Sequence, residues 1–195
     1  MKVLGRFTVL SFLVAAMPAF AENPPPKPEP GVMRFAGRAP EMEPFQTLVG
    51  AWLVTQRFYR PKRGIWEQGP GFDMTFTARY EGMFIDSEQV IPFTDTQSWR
   101  NTFVISYDKF RRVYRLAMMD GIVGLMDIFE GERVGDQIVL DDVRTNTPGP
   151  NLRGDLEYVQ MTLSFPVPDQ FLIAVRARRE GRWVEMLRYE LARKK

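Results

Sequence analysis

The chain has 195 residues, 26 lysines and arginines against 24 acidic residues, and neither cysteine nor histidine. Those two absences exclude disulfides, thiolate nucleophiles, Cys-ligated iron-sulfur clusters, Ser-His-Asp and Cys-His machinery, HExxH zinc sites and histidine-ligated haem. The apolar content of 45% and charged content of 26% fit one globular domain with a full core.

Met1 to Ala21 has the three parts of a secretory signal: a basic start (Lys2, Arg6), an apolar stretch from Phe7 to Ala16, and an A-x-A site at Ala19 and Ala21. The apolar stretch is shorter than the ~20 residues that span a bilayer, so cleavage after Ala21 is expected and no integral membrane segment would remain. Periplasmic or secreted localisation follows from this expectation. Cleavage removes two basic residues and no acid, leaving a formally neutral chain. The basic excess therefore gives no argument for a nucleic-acid partner. Residues 22–30 (ENPPPKPEP) carry five prolines in nine positions and read as an extended tether, continued loosely to Pro40.

From residue 41 a single domain is expected. Glu41 to Val49 can form one or two helical turns, with Phe45, Leu48 and Val49 inward and Gly50 as the stop. Period-two alternation follows, with turn residues about every ten positions. The strand from Ala51 is the first. Phe72, Met74, Phe76, Ala78 and Tyr80 alternate with polar partners, and Gly82 ends that run. Further strands are predicted over Phe84 to Ile91, around Phe103 to Tyr107, Val113 to Met119, Ile122 to Phe129 before a Gly131 to Gly135 turn, Ile138 to Val143, Tyr158 to Phe165, Phe171 to Ala177 and Trp183 to Leu191. Hairpin-length connections between about ten strands favour a closed antiparallel up-and-down barrel over a two-sheet sandwich.

Phe45-Gln46-Thr47-Leu48-Val49-Gly50-Ala51-Trp52 resembles the opening of lipocalin-like (calycin) barrels, a short helical turn leading to Gly-x-Trp. Ala78 to Phe84, Ser106-Tyr107-Asp108 before a basic turn, and Gly181-Arg182-Trp183 extend the likeness. Together they resemble a family of exported or cytosolic bacterial calycin-like domains without assigned function. The resemblance implies an all-β, ten-stranded barrel whose tryptophan, here Trp52, plugs one end beneath an arginine from a late strand, for which Arg188 is the best match. It also implies kinship in shape with nitrobindins, which hold haem through a histidine this chain lacks, and with fatty-acid-binding proteins, whose Arg-x-Tyr is not reproduced by the adjacent Arg188 and Tyr189.

The candidate site is the barrel interior, lined by Trp52, Val54, Phe58, Phe72, Met74, Phe76 and Tyr80 with Met118 or, preferably, Met119, and Arg188 for a polar head group. It would take a small hydrophobic or amphipathic ligand. A barrel packed solid, acting as an envelope interaction domain through the tether and the Trp66-bearing Tyr59 to Pro70 loop, is the alternative. No catalytic motif, metal-ligating pattern or cofactor signature occurs. A carboxylate pair such as Asp86 and Glu88, which share a strand face, is the one acid-base device the composition permits. Asp127 near Glu130 and Glu132, and the adjacent Asp141 and Asp142, are read as turn acids facing solvent.

Overall fold

Alternating apolar residues dictate strands with one buried face, and strands of that kind bury every inner face by closing on themselves. The computed structural model describes Gly31 and residues 35–92, 96–151 and 153–195. The expected leader and tether residues 22–30 and 32–34 lie outside these. Within Phe35–Lys195 the elements are a 3-10 turn (Pro40–Met42), helix α1 (Glu43–Gln46) and thirteen strands. The strands are β1 (Gly50–Arg60), β2 (Ile65–Gln68), β3 (Phe72–Arg79), β4 (Phe84–Pro92), β5 (Ser98–Asp108), β6 (Val113–Asp120), β7 (Met126–Val134), β8 (Gln137–Asp141), β9 (Gly149–Pro150), β10 (Leu156–Glu157), β11 (Val159–Ser164), β12 (Gln170–Arg179) and β13 (Arg182–Arg193).

Ten of these pair antiparallel in the order β1, β3, β4, β5, β6, β7, β8, β11, β12, β13, and β13 pairs back onto β1 from Trp52↔Arg193 to Phe58↔Leu187. The result is a closed lipocalin-like barrel. Strand β2 is an extra hairpin on the far half of β1, and β9 with β10 forms a separate ribbon within the long β8–β11 connection.

Several details differ from expectation. Val49 is exposed and Met42 is buried in its place, because the turn begins at Pro40 and rotates Met42 under the barrel end with Phe45 and Leu48. Residues from Phe35 onward are held to the barrel rather than loose. Phe35 packs on Phe110 with ring centroids 4.5 Å apart, Lys109 Nζ donates to the Phe35 carbonyl at 2.8 Å, and Ala39 is buried. Ile122 and Val123 form an exposed turn, since Asp120 accepts both their N–H groups and delays β7 to Met126. Gly131 lies inside β7 and not in a turn. A Cβ there would stand 1.8 Å from the Val139 carbonyl oxygen, so only glycine permits this close approach of β8.

The end carrying α1 is sealed by aromatic packing. Trp52 is 2% exposed and its Nε1 donates to the Leu48 carbonyl at 2.6 Å. Phe45 meets Phe165 at 5.7 Å and Tyr114 at 5.9 Å, and Phe171 lies between Phe165 and Phe76. The arginine over Trp52 is Arg193, not Arg188: its guanidinium carbon stands 4.4 Å from the Trp52 ring centre. Arg193 also donates to the carbonyls of Val49 (3.1 Å) and Thr47, and to Asp169 (2.6 Å). Strand register explains the difference. Arg193 is the β13 partner of Trp52, whereas Arg188 is five residues away along β13, opposite Arg57.

Arg193→Ala should therefore lower stability by about 1–2 kcal/mol and shift Trp52 emission to the red, by loss of the cation-π contact and of donors to two carbonyls. Arg188→Ala should cost under ~1 kcal/mol. Urea midpoints and emission spectra of the two variants provide the check, and equal losses would remove the plug role from Arg193.

Candidate functional site

Closure fixes which side chains face inward, and the inner wall changes character along the barrel axis. Toward the α1 end it is apolar: Trp52, Val54, Phe72, Met74 and Phe76 are all buried there, together with Ile105, Leu116, Phe129 and Leu163. Toward the opposite end, on the same inward register, Gln56 of β1, Gln89 of β4, Asn101 of β5, Asp127 of β7 and Asp142 just past β8 stand among apolar Ile91 and Phe103, with Ser87 of β4 deeper, across from Phe76. Each is at most 4% exposed.

These polar groups form only part of the hydrogen bonds available to them. Gln56 Nε2 donates to the carbonyls of Pro70 (2.7 Å) and Pro92 (2.8 Å), tying the β2–β3 connection to the end of β4, while its Oε1 has no partner. Ser87 Oγ donates to Gln89 Oε1 at 3.0 Å, and Gln89 Nε2 reaches Asn101 Oδ1 at a long 3.4 Å, leaving Asn101 Nδ2 without an acceptor. Asp142 Oδ1 accepts from Val159 N–H at 2.8 Å, but its Oδ2 and Asp127 Oδ1 have no donor. An unsatisfied buried polar atom costs roughly 1–3 kcal/mol, so several at one end of a core mark a place where packing alone was not optimised.

The β8–β11 connection crosses this end. Thr145 and Thr147 hydroxyls both donate to the Ile128 carbonyl, Thr147 at 3.2 Å, and Thr147 N–H donates to the Asp142 carbonyl at 3.2 Å. The connection then brings Gly149 so close to Asp127 that an added Cβ would lie 3.2 Å from Oδ2.

Burial pushes Asp127 up to about 6, and neighbouring Asp120 adds to the rise. Burial pushes Asp142 up to about 7 against the lowering effect of the Val159 and its own backbone N–H, with Asp127 and Asp141 adding repulsion. Among the described residues no lysine or arginine pairs with either acid, and no group of three or more acidic side chains is placed to hold a metal ion.

The other expected site residues lie elsewhere. Phe58 is half-buried at the rim, with the Arg60 guanidinium 5.6 Å from its ring centre. Tyr80 sits in a turn with φ of 50° and is 74% exposed, because β3 ends at Arg79, before the alternation does. Met119 points outward. It pairs with Thr102, whereas Met118 pairs with buried Phe103 and packs on the core. Arg188 is also on the outer face, bonded to Glu185 at 2.7 Å and stacked over Trp66 at 5.2 Å. Trp66 itself belongs to β2, where it packs on Tyr59. Asp86 and Glu88 do share a face, but it is the outer one, paired with Arg79 and Arg100 respectively. Two surface grooves, of about 440 and 340 Å3, flank the N-terminal turn outside the barrel, the larger lined by Tyr107, Tyr114, Arg112 and Arg133.

Sequence reasoning placed Asp127 and Asp142 in solvent. A usable signal exists: Asp142 continues the Ile138, Leu140 alternation and Asp127 precedes Phe129 by two, so both sit in the apolar register of their strands.

A carboxyl that stays protonated longer when folded favours the folded state at low pH and loses that contribution as pH rises. The unfolded acids ionise near 3.8, the folded ones near 6 and 7, so the loss runs from about pH 4 to about pH 7. The stability difference between wild type and Asp142→Asn should accordingly move by on the order of 2–3 kcal/mol in favour of the variant across that window. Chemical denaturation at pH 4, 6 and 8 measures it, and a pH-independent difference would show that Asp142 is not a buried acid.

No family model and no curated protein matches the sequence. Solved structures do match in fold. Rv2717c from M. tuberculosis aligns over 82% of this chain and 100% of its own, with a TM-score of 0.55 and 17% identity. The S-type phycobiliprotein lyase CPES from Guillardia theta aligns over 83% of this chain and 97% of its own, with a TM-score of 0.51 and 12% identity. The chain is thus similar in architecture to lipocalin-like barrels from two distant proteins.

Proposed function

We infer that this protein binds a small amphipathic molecule inside its barrel and that it does so after export from the cytoplasm. The observation that carries the binding reading is the mixed interior. An apolar wall of Trp52, Val54, Phe72, Met74 and Phe76 is joined by Gln89 and by Gln56, Asn101, Asp127 and Asp142, the last four each with a hydrogen-bonding atom unused. Ligand sites combine these two ingredients: apolar surface for affinity and a few fixed polar groups for orientation. A barrel serving only as a scaffold gains nothing from leaving those atoms unpaired. Likeness to the phycobiliprotein lyase supports the reading at the level of fold alone. Export rests on the basic, apolar and A-x-A segments of residues 1–21.

In this reading the interior groups hold and orient the ligand. The Asp86 and Glu88 pair is committed to surface arginines and supplies no hydrolytic site.

Two measurements test this reading. Replacing Ser87, Gln89 and Asn101 together by Ala, Met and Leu should leave Tm equal or higher, since it removes an unpartnered amide without stranding the Ser87 hydroxyl, while weakening the binding of octanol about tenfold. Octanol is followed by tryptophan emission or calorimetry. Unchanged octanol affinity with a lower Tm would mean that the three side chains serve folding only. For export, intact mass of protein recovered from the cell envelope should correspond to a chain beginning at Glu22, and recovery with residues 1–21 attached would refute cleavage.

A further inference from the structure

Asp127 and Asp142 come from neighbouring strands, β7 and the end of β8, and both carboxylates project to the inside at 4% and 0% exposure. One oxygen of each, Asp127 Oδ1 and Asp142 Oδ2, has no donor. The remaining titratable groups that act on them are Asp120 at the end of β6 and Asp141 beside Asp142, both acidic, and no basic side chain among the described residues pairs with either. Asp120 already spends its Oδ1 on the N–H groups of Ile122 and Val123. This end of the barrel is therefore a buried place with acceptors and negative charge, and without a cation of its own.

The chemistry of what fits follows from elimination. An anionic head group would be repelled by every charge present. A neutral hydroxyl would fill one acceptor and leave the charge uncompensated. A calcium ion asks for six to eight oxygens, and Asp142 Oδ1 is already committed to Val159 N–H. A primary ammonium brings one positive charge and three N–H donors, two for the unpartnered oxygens. Apolar surface lies next to the acids: Met118 is the cross-strand partner of Asp127 with Phe103 beyond it, and Leu125 stands beside Gly149. The Gly149 backbone packs against the Asp127 carboxylate, closely enough that a Cβ there would lie 3.2 Å from Asp127 Oδ2.

We propose that Asp127 and Asp142 together seat a cationic nitrogen, so that the ligand of this barrel is an amphipathic amine. The proposal rests on the interior being a ligand site and specifies its chemical class.

Titrations with octylamine, octanol and octanoate, which share one chain and differ only in head group, test it at pH 8 and pH 5 on wild type, Asp127→Asn and Asp142→Asn. Octylamine carries its charge at both pH values. At pH 8 it should bind wild type at least tenfold tighter than octanol, with octanoate weakest. The preference should fall below threefold at pH 5, where the acids are protonated, and in either variant at pH 8, while octanol affinity stays constant. Octylamine binding no tighter than octanol, or a preference retained in both variants, overturns the seat yet leaves the interior-ligand reading standing because octanol still binds. Failure of all three probes overturns both. Thermal unfolding establishes that each variant is folded, and if Asp142→Asn is not, Asp127→Asn decides alone.

Discussion

Everything inside this protein depends on the pairing of β1 with β13. Seven consecutive residue pairs, Trp52↔Arg193 to Phe58↔Leu187, turn a meander into a closed wall. Once closed, the wall has no free edge except that of the short β2 hairpin, and the pleat assigns each residue to the inside or the outside with no third choice. Trp52 and Arg193 are themselves a pair in that seam. The same register that closes the barrel places the guanidinium over the indole and fastens α1's following turn through the carbonyls of Thr47 and Val49.

Closure also sorts charge. Most arginines pair with acids on the outer wall, as Arg57 with Glu190, Arg115 with Glu130 and Arg144 with Glu132. These pairs contribute little each to stability, but among the described residues they leave no lysine or arginine paired with Asp127 or Asp142. Asp127 and Asp142 stand inside the wall, where burial first and acidic neighbours second, Asp120 for Asp127 and Asp127 with Asp141 for Asp142, act against ionisation. The apolar half of the core, built from interlocked aromatic rings between Phe45 and Phe76, is what allows the opposite half to keep unpaired polar atoms. The wall around them is held by the strand ladders rather than by their own packing.

Much of the fold was legible as period-two patterning, because burial of one face leaves a trace in every strand. Trp52, Val54, Phe72, Met74 and Phe76 are buried as the alternation implied. The alternation and the structure part where local chemistry interrupts the period. Asp120 captures two backbone N–H groups and holds Ile122 and Val123 in a turn, and Gly131 stays in its strand because Val139 comes too close for any side chain. The left-handed turn at Tyr80 likewise ends an alternation that the residue types would have continued. Two adjacent methionines carry no information about which faces inward, and the strand register turns Met118 inward and not the expected Met119.

By itself the sequence determined the architecture class, the Gly-x-Trp entry into the first strand, and the absence of every histidine- or cysteine-dependent chemistry, since these follow from residue identity and short-range periodicity. Tertiary structure alone decided which arginine covers Trp52 and which acids are interior. Both depend on register between strands distant in the chain: Arg193 meets Trp52 across the closing seam, and Asp127 and Asp142 share one enclosed end. An aspartate in a strand carries no local mark of its dielectric surroundings. Only the closed wall, the loop over it and the lack of a basic neighbour make it a buried acid.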